Sequence, residues 1–191
     1  EDLSIEKRIS ITPDSAKKYI ALGFSINLEK NYAEHLGIKD KEYEKNGVNI
    51  NISNEEVLKK SDIILKVNCP SSNEINLIKE KSILIGQIDP NLNKEIIEKF
   101  IKKNVKIFSL NLLPRITRAQ SMDVLSSQAN LAGYKAVIET FAKFEKAVPM
   151  MMTAAGTIPA AKVLVIGAGV AGLQAIATAK RMGAIVFATD V

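Results

Sequence analysis

The chain alternates between short apolar runs and longer runs in which apolar side chains recur every three or four residues. Apolar runs rich in β-branched side chains occur at 24–29, 48–52, 62–67, 82–88 and 105–113. The runs between them carry one apolar face and one charged face, which is typical of amphipathic helices. Strands that alternate with helices favour a parallel sheet covered on both faces. We therefore predict an α/β fold, with a flavodoxin-like or Rossmann-like amino-terminal domain.

Local signals mark two helix starts. Thr12 is a capping side chain, Pro13 fits the first helical turn, and Gly23 ends the first helix. Ser121 is the candidate cap of a long helix in the second half of the chain.

The chain is expected to divide into three segments. An α/β domain covers residues 1–120, a long interdomain helix covers 121–148, and a partial Rossmann domain covers 149–191. The start of the third segment contains two prolines and a glycine, and it is expected to be an irregular connector.

Residues 163–191 read as a strand, a glycine turn, a helix and a second strand that ends in an acid. The turn has the spacing G-x-G-x-x-G, in which the glycines allow a tight turn, close approach of a pyrophosphate and close packing of the helix. Free N–H groups at the helix start would bind the pyrophosphate. The predicted pyrophosphate contacts are Gly167, Ala168, Gly169, Val170, Ala171 and Gly172.

Asp190 ends the second strand about twenty residues after the glycine turn, the spacing of dinucleotide-binding sites. Its carboxylate can accept hydrogen bonds from both hydroxyls of the adenosine ribose, and it would repel the 2′-phosphate of NADP. NAD(H) is therefore the expected cofactor. The alternative is a glycine-rich turn of another α/β protein. Because only the first β-α-β unit precedes Val191, the chain alone is not expected to enclose a nicotinamide ring.

A polar segment precedes the long helix, at the junction between the expected domains. Arg115 could hold a carboxamide oxygen or a phosphate, and ligand pockets often form at such junctions. Gln120, Asp123 and Ser126 could orient a carboxamide. The same residues also fit an ordinary capped helix start beside solvated arginines. The residues alone leave both interpretations open.

Composition excludes several classes of function. The net charge is +5, but the lysines are scattered and aromatic residues make up 5% of the chain, so nucleic-acid binding is not expected. The single cysteine, Cys69, and the single histidine, His35, offer neither an internal disulfide nor a metal site, and they indicate a reducing compartment. Glycines, prolines and a lysine interrupt the apolar stretch 147–179, which argues against a membrane span.

The motifs "EKRISITPD", "LLPRITRAQSMDVLSSQANLAGYKAV", "PMMMTAAGTIPAAKVLVIGAGVAGLQAIATAKRMGA" and "ATDV" resemble the proton-translocating nicotinamide nucleotide transhydrogenases, in their NAD(H)-binding α subunit. The resemblance covers the chain and is densest from Leu112 onward. It implies a homodimer in which bound NADH passes a hydride to NADP⁺ on an NADP(H)-binding β subunit. Proton translocation would run through a membrane domain, with this component at the cytoplasmic face.

The resemblance also implies roles for the candidate residues. The polar segment, with Arg115, Gln120, Asp123 and Ser126, matches the family's loop at the nicotinamide end. The glycine turn and Asp190 match its pyrophosphate and ribose contacts. No catalytic residue and no metal ligand is expected, because hydride transfer between two nicotinamides needs ring apposition and exclusion of water. The family pattern continues beyond Val191 and has a strand ahead of Glu1, so the chain is expected to be incomplete and inactive alone.

Two alternatives remain from the sequence. Alanine dehydrogenase is similar in fold and is expected to use a lysine and a histidine around its substrate. Here Asn68 stands in place of the second lysine of a K-V-K run, and Lys66 is expected to be a strand-end lysine that reaches solvent, while Arg8 is shared by both families. The second alternative is a non-catalytic, truncated NAD-binding or assembly module.

Overall fold

The computed structural model describes residues 1–91 and 94–191. These residues form two compact units, Glu1–Pro114 and Arg115–Val191. Both units contain strands that pair in parallel and are connected by helices, so the predicted parallel α/β fold is confirmed. The domain limits predicted at residues 120 and 148 stay a prediction.

Helices and strands alternate along the first unit. Their order is α1 Pro13–Ala21, β1 Asn27–Glu29, α2 Asp40–Glu44, β2 Asn49–Asn51, α3 Asn54–Lys60, β3 Ile63–Asn68, α4 Ser72–Leu77, β4 Ile83–Gln87, α5 Lys94–Lys102 and β5 Lys106–Ser109. The predicted start of α1 is confirmed, because the Thr12 hydroxyl accepts a hydrogen bond from the Ser15 N–H at 3.2 Å and Pro13 lies in the first turn. The chain leaves β5 through a short 3₁₀ helix, Leu110–Leu112, where the sequence predicted a longer strand.

The strands of the first unit form two sheets. β1 pairs with β2, and β3, β4 and β5 form a second parallel sheet in that order. A cleft of about 570 Å³ lies along β1 and β3. The unit has two apolar cores, one that includes Tyr43 and another that includes Phe100, and both rings are fully buried. Leu92, assigned from the sequence to the apolar face of α5, lies outside the described residues.

The second unit begins with a 3₁₀ helix, Thr117–Met122. Its other elements are α6 Val124–Lys143, β6 Met151–Thr153, β7 Gly156–Ile158, β8 Lys162–Ile166, α7 Val170–Arg181 and β9 Ile185–Thr189. β8 and β9 pair in parallel over five residues, with α7 as their crossover helix. This is the β-α-β unit that the sequence predicted.

The expectation of an irregular connector before β8 was wrong. β6 and β7 form an antiparallel hairpin in which Met151 pairs with Ile158. The Thr153 hydroxyl closes the turn by donating to the Gly156 carbonyl at 2.9 Å. Pro149 and Pro159 lie outside the two strands, where a missing N–H costs the ladder nothing.

The long helix starts later than predicted, and its cap is a different residue. Asp123 is the N-cap of α6, and its carboxylate accepts hydrogen bonds from the Ser126 N–H at 2.9 Å and the Ser126 hydroxyl at 2.6 Å. Ser121 lies within the preceding 3₁₀ helix and does not cap α6. Asp123 was available as a cap in the sequence, and its spacing to Ser126 is the usual one.

Among the described residues, no helix combines the length and the apolar character needed to cross a bilayer.

Candidate cofactor-binding site

The glycine turn leaves β8 sharply. Gly167 has φ +95°, a left-handed backbone conformation that favours glycine. Its N–H donates to the Thr189 carbonyl at 2.8 Å, which extends the β8–β9 ladder by one bond into the turn. The turn is therefore fixed to the end of β9 before the chain enters α7.

The other two glycines of the motif differ in what surrounds them. A Cβ on Gly172 would overlap the carbonyl oxygen of Gly167, so the start of α7 packs directly on the turn. A Cβ on Gly169 would meet no heavy atom within 4 Å. Gly169 is also the N-cap of α7 and has no side chain to cap the helix. The start of α7 is therefore uncapped by a side chain and lies beside open space at Gly169.

Asp190 lies against this turn. One carboxylate oxygen, Oδ2, accepts a hydrogen bond from the Ala168 N–H, and Oδ1 accepts one from the Val191 N–H at 2.7 Å. The bonds from Ala168 and Val191 hold the pKa of the Asp190 carboxyl below its ordinary value. Asp190 is therefore ionised at neutral pH. A carboxylate has about four acceptor sites, so two remain for a ligand.

These features fit a dinucleotide. The open N-terminus of α7 offers N–H donors and the positive end of the helix dipole to a pyrophosphate. The space at Gly169 would allow a phosphate to approach the backbone. Asp190, at the end of the next strand, offers acceptors to ribose hydroxyls. The residues present are thus suited to hold the ADP portion of NAD(H).

A glycine that the sequence analysis did not select supports the same site. Gly133 lies inside α6, and a Cβ there would overlap the Ala171 carbonyl oxygen in the first turn of α7. Asn130 donates to the Gln174 side chain across the same helix pair at 3.4 Å. The available signal was a glycine inside a helical pattern, which often marks close packing.

The polar segment is organised differently from the glycine turn. Asp123 and Ser126 bond to each other at the start of α6, and these bonds, with a smaller contribution from Arg115, lower the pKa of Asp123. Arg115 and Gln120 are exposed. Within residues 115–191, all of which are described, no hydrogen bond links these four side chains to the glycine turn. Their predicted role at the nicotinamide stays a prediction.

A second group of charges lies at the carboxyl end of β3 in the first unit. Lys66 was expected to reach solvent, and this was wrong: its side chain is 12% exposed and its ammonium lies 2.6 Å from Glu74 Oε1. Burial raises the pKa of Glu74, but hydrogen bonds from Lys66 and from the Ser71 N–H outweigh it and bring the pKa to about 2.

Arg8 has a carboxylate partner in the same region. Its guanidinium binds both oxygens of Glu6, at 2.8 and 2.6 Å, and Asn68 donates to Glu6 Oε2 at 3.3 Å. The bond from Arg8 brings the pKa of Glu6 to about 2. Arg8 and Lys66, the two cations considered for an alanine dehydrogenase site, are therefore both paired with carboxylates of this chain. The described residues contain no group of side chains that could hold a metal ion.

Comparison with known proteins identifies relatives that match nearly all of this chain. Two of them carry the description of the first segment of an NAD(P) transhydrogenase subunit alpha. The protein is 46% identical over 191 residues to the one from Rhodospirillum rubrum, covering 97% of this chain and 50% of that one. It is 48% identical over 196 residues to the one from Rickettsia prowazekii, covering 100% of this chain and 51% of that one. The chain thus spans about half the length of these relatives.

A solved structure is similar in fold as well as in sequence. The crystal structure of transhydrogenase from Sinorhizobium meliloti superposes with a TM-score of 0.94 at 50% identity, covering 100% of this chain and 57% of that one. Two family models also match. "Alanine dehydrogenase/PNT, N-terminal domain" matches residues 1–132, and the C-terminal domain of the same family matches residues 136–191. The chain therefore belongs to the alanine dehydrogenase/PNT family, and its 46–48% identical relatives are transhydrogenase α subunits.

Proposed function

We propose that this chain provides a portion of the NAD(H)-binding component of a proton-translocating transhydrogenase. The observation that carries the proposal is the glycine turn at the start of α7, with open space at Gly169 and the Asp190 carboxylate beside it. The identity to transhydrogenase α subunits supports the same assignment.

The ADP portion of the cofactor would bind at this turn. The backbone of residues 167–172 would hold the pyrophosphate, and Asp190 would accept hydrogen bonds from the adenosine ribose. Because Asp190 stays ionised, it would repel a 2′-phosphate. NADH is accordingly favoured over NADPH.

The nicotinamide end would be positioned by Arg115, Gln120, Asp123 and Ser126. Bound NADH supplies the hydride, and NADP⁺ on a β subunit accepts it. The residues of this chain would orient the ring and exclude water, and no side chain would need to transfer a proton. Asp123 would help to position the ring and cap α6 at the same time. It is already the cap of α6, because each of its carboxylate oxygens accepts a hydrogen bond from Ser126.

The assembly would be a homodimer bound to an NADP(H)-binding β subunit and to a membrane domain that translocates protons. In this arrangement the component lies at the cytoplasmic face of the membrane, held there by its partners. Hydride transfer requires the acceptor site of the partner, so the chain alone would be inactive.

An equilibrium titration of the protein with NADH, with a parallel titration with NADPH, tests the proposal. Gly169→Ala is the informative variant, because its φ of −68° suits alanine and nothing in the chain obstructs the added Cβ. We expect saturable binding selective for NADH, and at least roughly tenfold weaker binding by the variant. Its thermal stability should fall only slightly, because alanine is a poorer N-cap than glycine. Equal affinity of both proteins for NADH would contradict the proposed site.

Alanine dehydrogenase is the weaker alternative. A substrate carboxylate would need a free cation, and in the first unit Arg8 is paired with Glu6 and Lys66 with Glu74. Detection of alanine-dependent reduction of NAD⁺ would support this alternative over the proposed function. A non-catalytic binding or assembly module would bind NADH and yet transfer no hydride when the β subunit is added.

A further inference from the structure

Asp190 contacts the glycine turn through a bond that ribose binding does not require. We propose that Asp190 is a positioning residue for the pyrophosphate-binding turn, which it holds through the Ala168 N–H, in addition to any contact with ribose. This inference rests on the proposed function, because it concerns the same dinucleotide site.

The backbone explains why a side chain is needed here. The β8–β9 ladder continues as far as the bond from the Gly167 N–H to the Thr189 carbonyl. In a continuing strand the next N–H, that of Ala168, would point away from β9, because successive N–H groups point to opposite sides of a strand. The left-handed conformation of Gly167 turns the chain out of the strand direction, and the Ala168 N–H instead meets the Asp190 side chain. The carboxylate of Asp190 supplies the acceptor for this N–H, which the β8–β9 ladder does not provide.

This bond has a direct effect on the phosphate-binding groups. Ala168 lies between Gly167, which makes the turn, and Gly169, which opens the N-terminus of α7. Fixing the Ala168 N–H toward β9 fixes the peptide planes that lead into α7. A turn held in the binding conformation before the ligand arrives loses less entropy on binding.

The carboxylate is well placed for both roles. Oδ2 accepts from Ala168 and Oδ1 from Val191, which leaves acceptor capacity on each oxygen for a ribose hydroxyl. The negative charge itself would oppose a diphosphate nearby. Loss of the charge and loss of the bond to Ala168 are therefore expected to change diphosphate affinity in opposite directions.

Two substitutions and two ligands separate these effects. Asp190→Asn and Asp190→Ala both remove the charge, but only asparagine keeps a side-chain oxygen for the Ala168 N–H. ADP carries both ribose hydroxyls, whereas 2′,3′-dideoxyadenosine 5′-diphosphate carries neither. Binding of each ligand to the unchanged protein and its two variants is measured by calorimetry, and thermal unfolding confirms that both variants are folded.

We expect Asp190→Ala to bind the dideoxy ligand roughly tenfold more weakly than Asp190→Asn does, as loss of a hydrogen bond at a preorganised site would give. A contact with ribose alone would give the two variants equal affinity for the dideoxy ligand, and that result would overturn the inference. The ratio of the affinity for ADP to that for the dideoxy ligand should be smaller in both variants than in the unchanged protein, because each variant loses the charged ribose acceptor.

Amide hydrogen exchange without ligand gives an independent measurement. The Ala168 amide should exchange faster in Asp190→Ala than in Asp190→Asn. The Gly167 amide is the internal reference, because it is bonded to a backbone carbonyl that neither substitution removes. Equal exchange at Ala168 in both variants would also overturn the inference. If the unchanged protein binds neither NADH nor ADP, the proposed function fails and the inference fails with it. If the unchanged protein binds NADH but the two variants show equal affinity for the dideoxy ligand, the inference is overturned and the proposed function stands.

Discussion

At the scale of single residues, Gly133 and Gly169 show that glycine can be needed for two different reasons, close packing of two helices or open space for a ligand. Gly133 in α6 is there because the backbone of α7 occupies the space of its missing side chain. Gly169 borders open space that a ligand would use. Gly169 is recognisable in the sequence from its G-x-G-x-x-G motif. Gly133 required the structure, because its partner Ala171 lies on another helix.

Substitution Gly133→Ala should destabilise the protein although alanine is the better helix former. The overlap with the Ala171 carbonyl must push α6 and α7 apart, at a cost of about 1–3 kcal/mol that exceeds the gain in helix propensity. Gly169→Ala, at the N-cap of α7, is the matched control and should cost less than about 1 kcal/mol, the difference between glycine and alanine as N-cap residues. Denaturant unfolding of both variants checks this, and equal stability would mean that the close helix contact is absent in solution.

Glu74 should contribute far more to stability than an exposed glutamate. Its pKa of about 2 lies below the ordinary 4.5, so its contribution is fully present above pH 4.5 and is lost as the pH falls towards 2. At pH 7, Glu74→Gln should cost on the order of 2–3 kcal/mol, because Lys66 loses its charged partner at a largely buried position.

The control for this prediction is Glu55→Gln. Glu55 pairs with Lys59 on the exposed surface of α3, where such pairs contribute about 0.5 kcal/mol or less. Urea unfolding of the two variants and the unchanged protein from pH 7 to pH 2 tests both. The deficit of Glu74→Gln should disappear at the acid end. A deficit that persists at pH 2 would show that the amide disturbs packing and that the ion pair is not the cause.

At the scale of elements, α4 illustrates how a short helix is completed from outside. The Lys103 ammonium, just after α5, donates to the carbonyls of Ile75, Asn76 and Ile78, each at 2.8 Å. Carbonyls at the end of a helix have no donor four residues on within the helix, although that of Ile75 also accepts from the Ile78 N–H at 3.3 Å. A cation also suits the negative end of the helix. One side chain thus fastens the end of α4 to α5.

Lys103→Met should therefore loosen the end of α4. Loss of three charged hydrogen bonds is expected to cost about 1–3 kcal/mol and to speed amide exchange in α4. Lys102→Met, at the exposed neighbouring position, is the control and should stay within about 0.5 kcal/mol of the unchanged protein. Thermal unfolding and hydrogen exchange provide the measurements. Similar losses from both variants would indicate that the cap contributes nothing specific.

How far the sequence predicts an element depends on where its determinants lie. The start of α1 and the β8–α7–β9 unit follow from side chains close in sequence, and both were found as predicted. The hairpin of β6 and β7 was missed, because its flanking prolines suggested irregular structure. Within the site, the glycine turn could be predicted from its spacing. The bond between Asp190 and Ala168 could not, because it joins residues 22 positions apart.

At the scale of the whole molecule, apolar burial is unevenly distributed. Both core clusters lie in the first unit. In the second unit the fully buried apolar side chains are few and small: Ala119, Val137 and Ala179. Large side chains of its strands are exposed, among them Leu164 at 63% and Ile166 at 81%. The second unit should therefore be the less stable of the two in the 191-residue chain.

Limited proteolysis should reveal this difference. Cleavage is expected first within residues 115–191, leaving a resistant fragment close to Glu1–Pro114. If the proposed site is correct, NADH should slow cleavage of the second unit, because a ligand stabilises the folded form that binds it. Mass spectrometry of the fragments gives the result. Early cleavage inside the first unit would contradict the expected order of stability.

The position of α6 has a consequence for exchanging segments between relatives. The two family models meet at residues 132–136, yet α6 runs unbroken from Val124 to Lys143 across that junction. A chimera joined there would take the cap at Asp123 and the α7 contact at Asn130 from one parent and α7 itself from the other. A crossover at Pro114 would instead inherit α6 and α7 together from a single parent, with their contact at Gly133 intact.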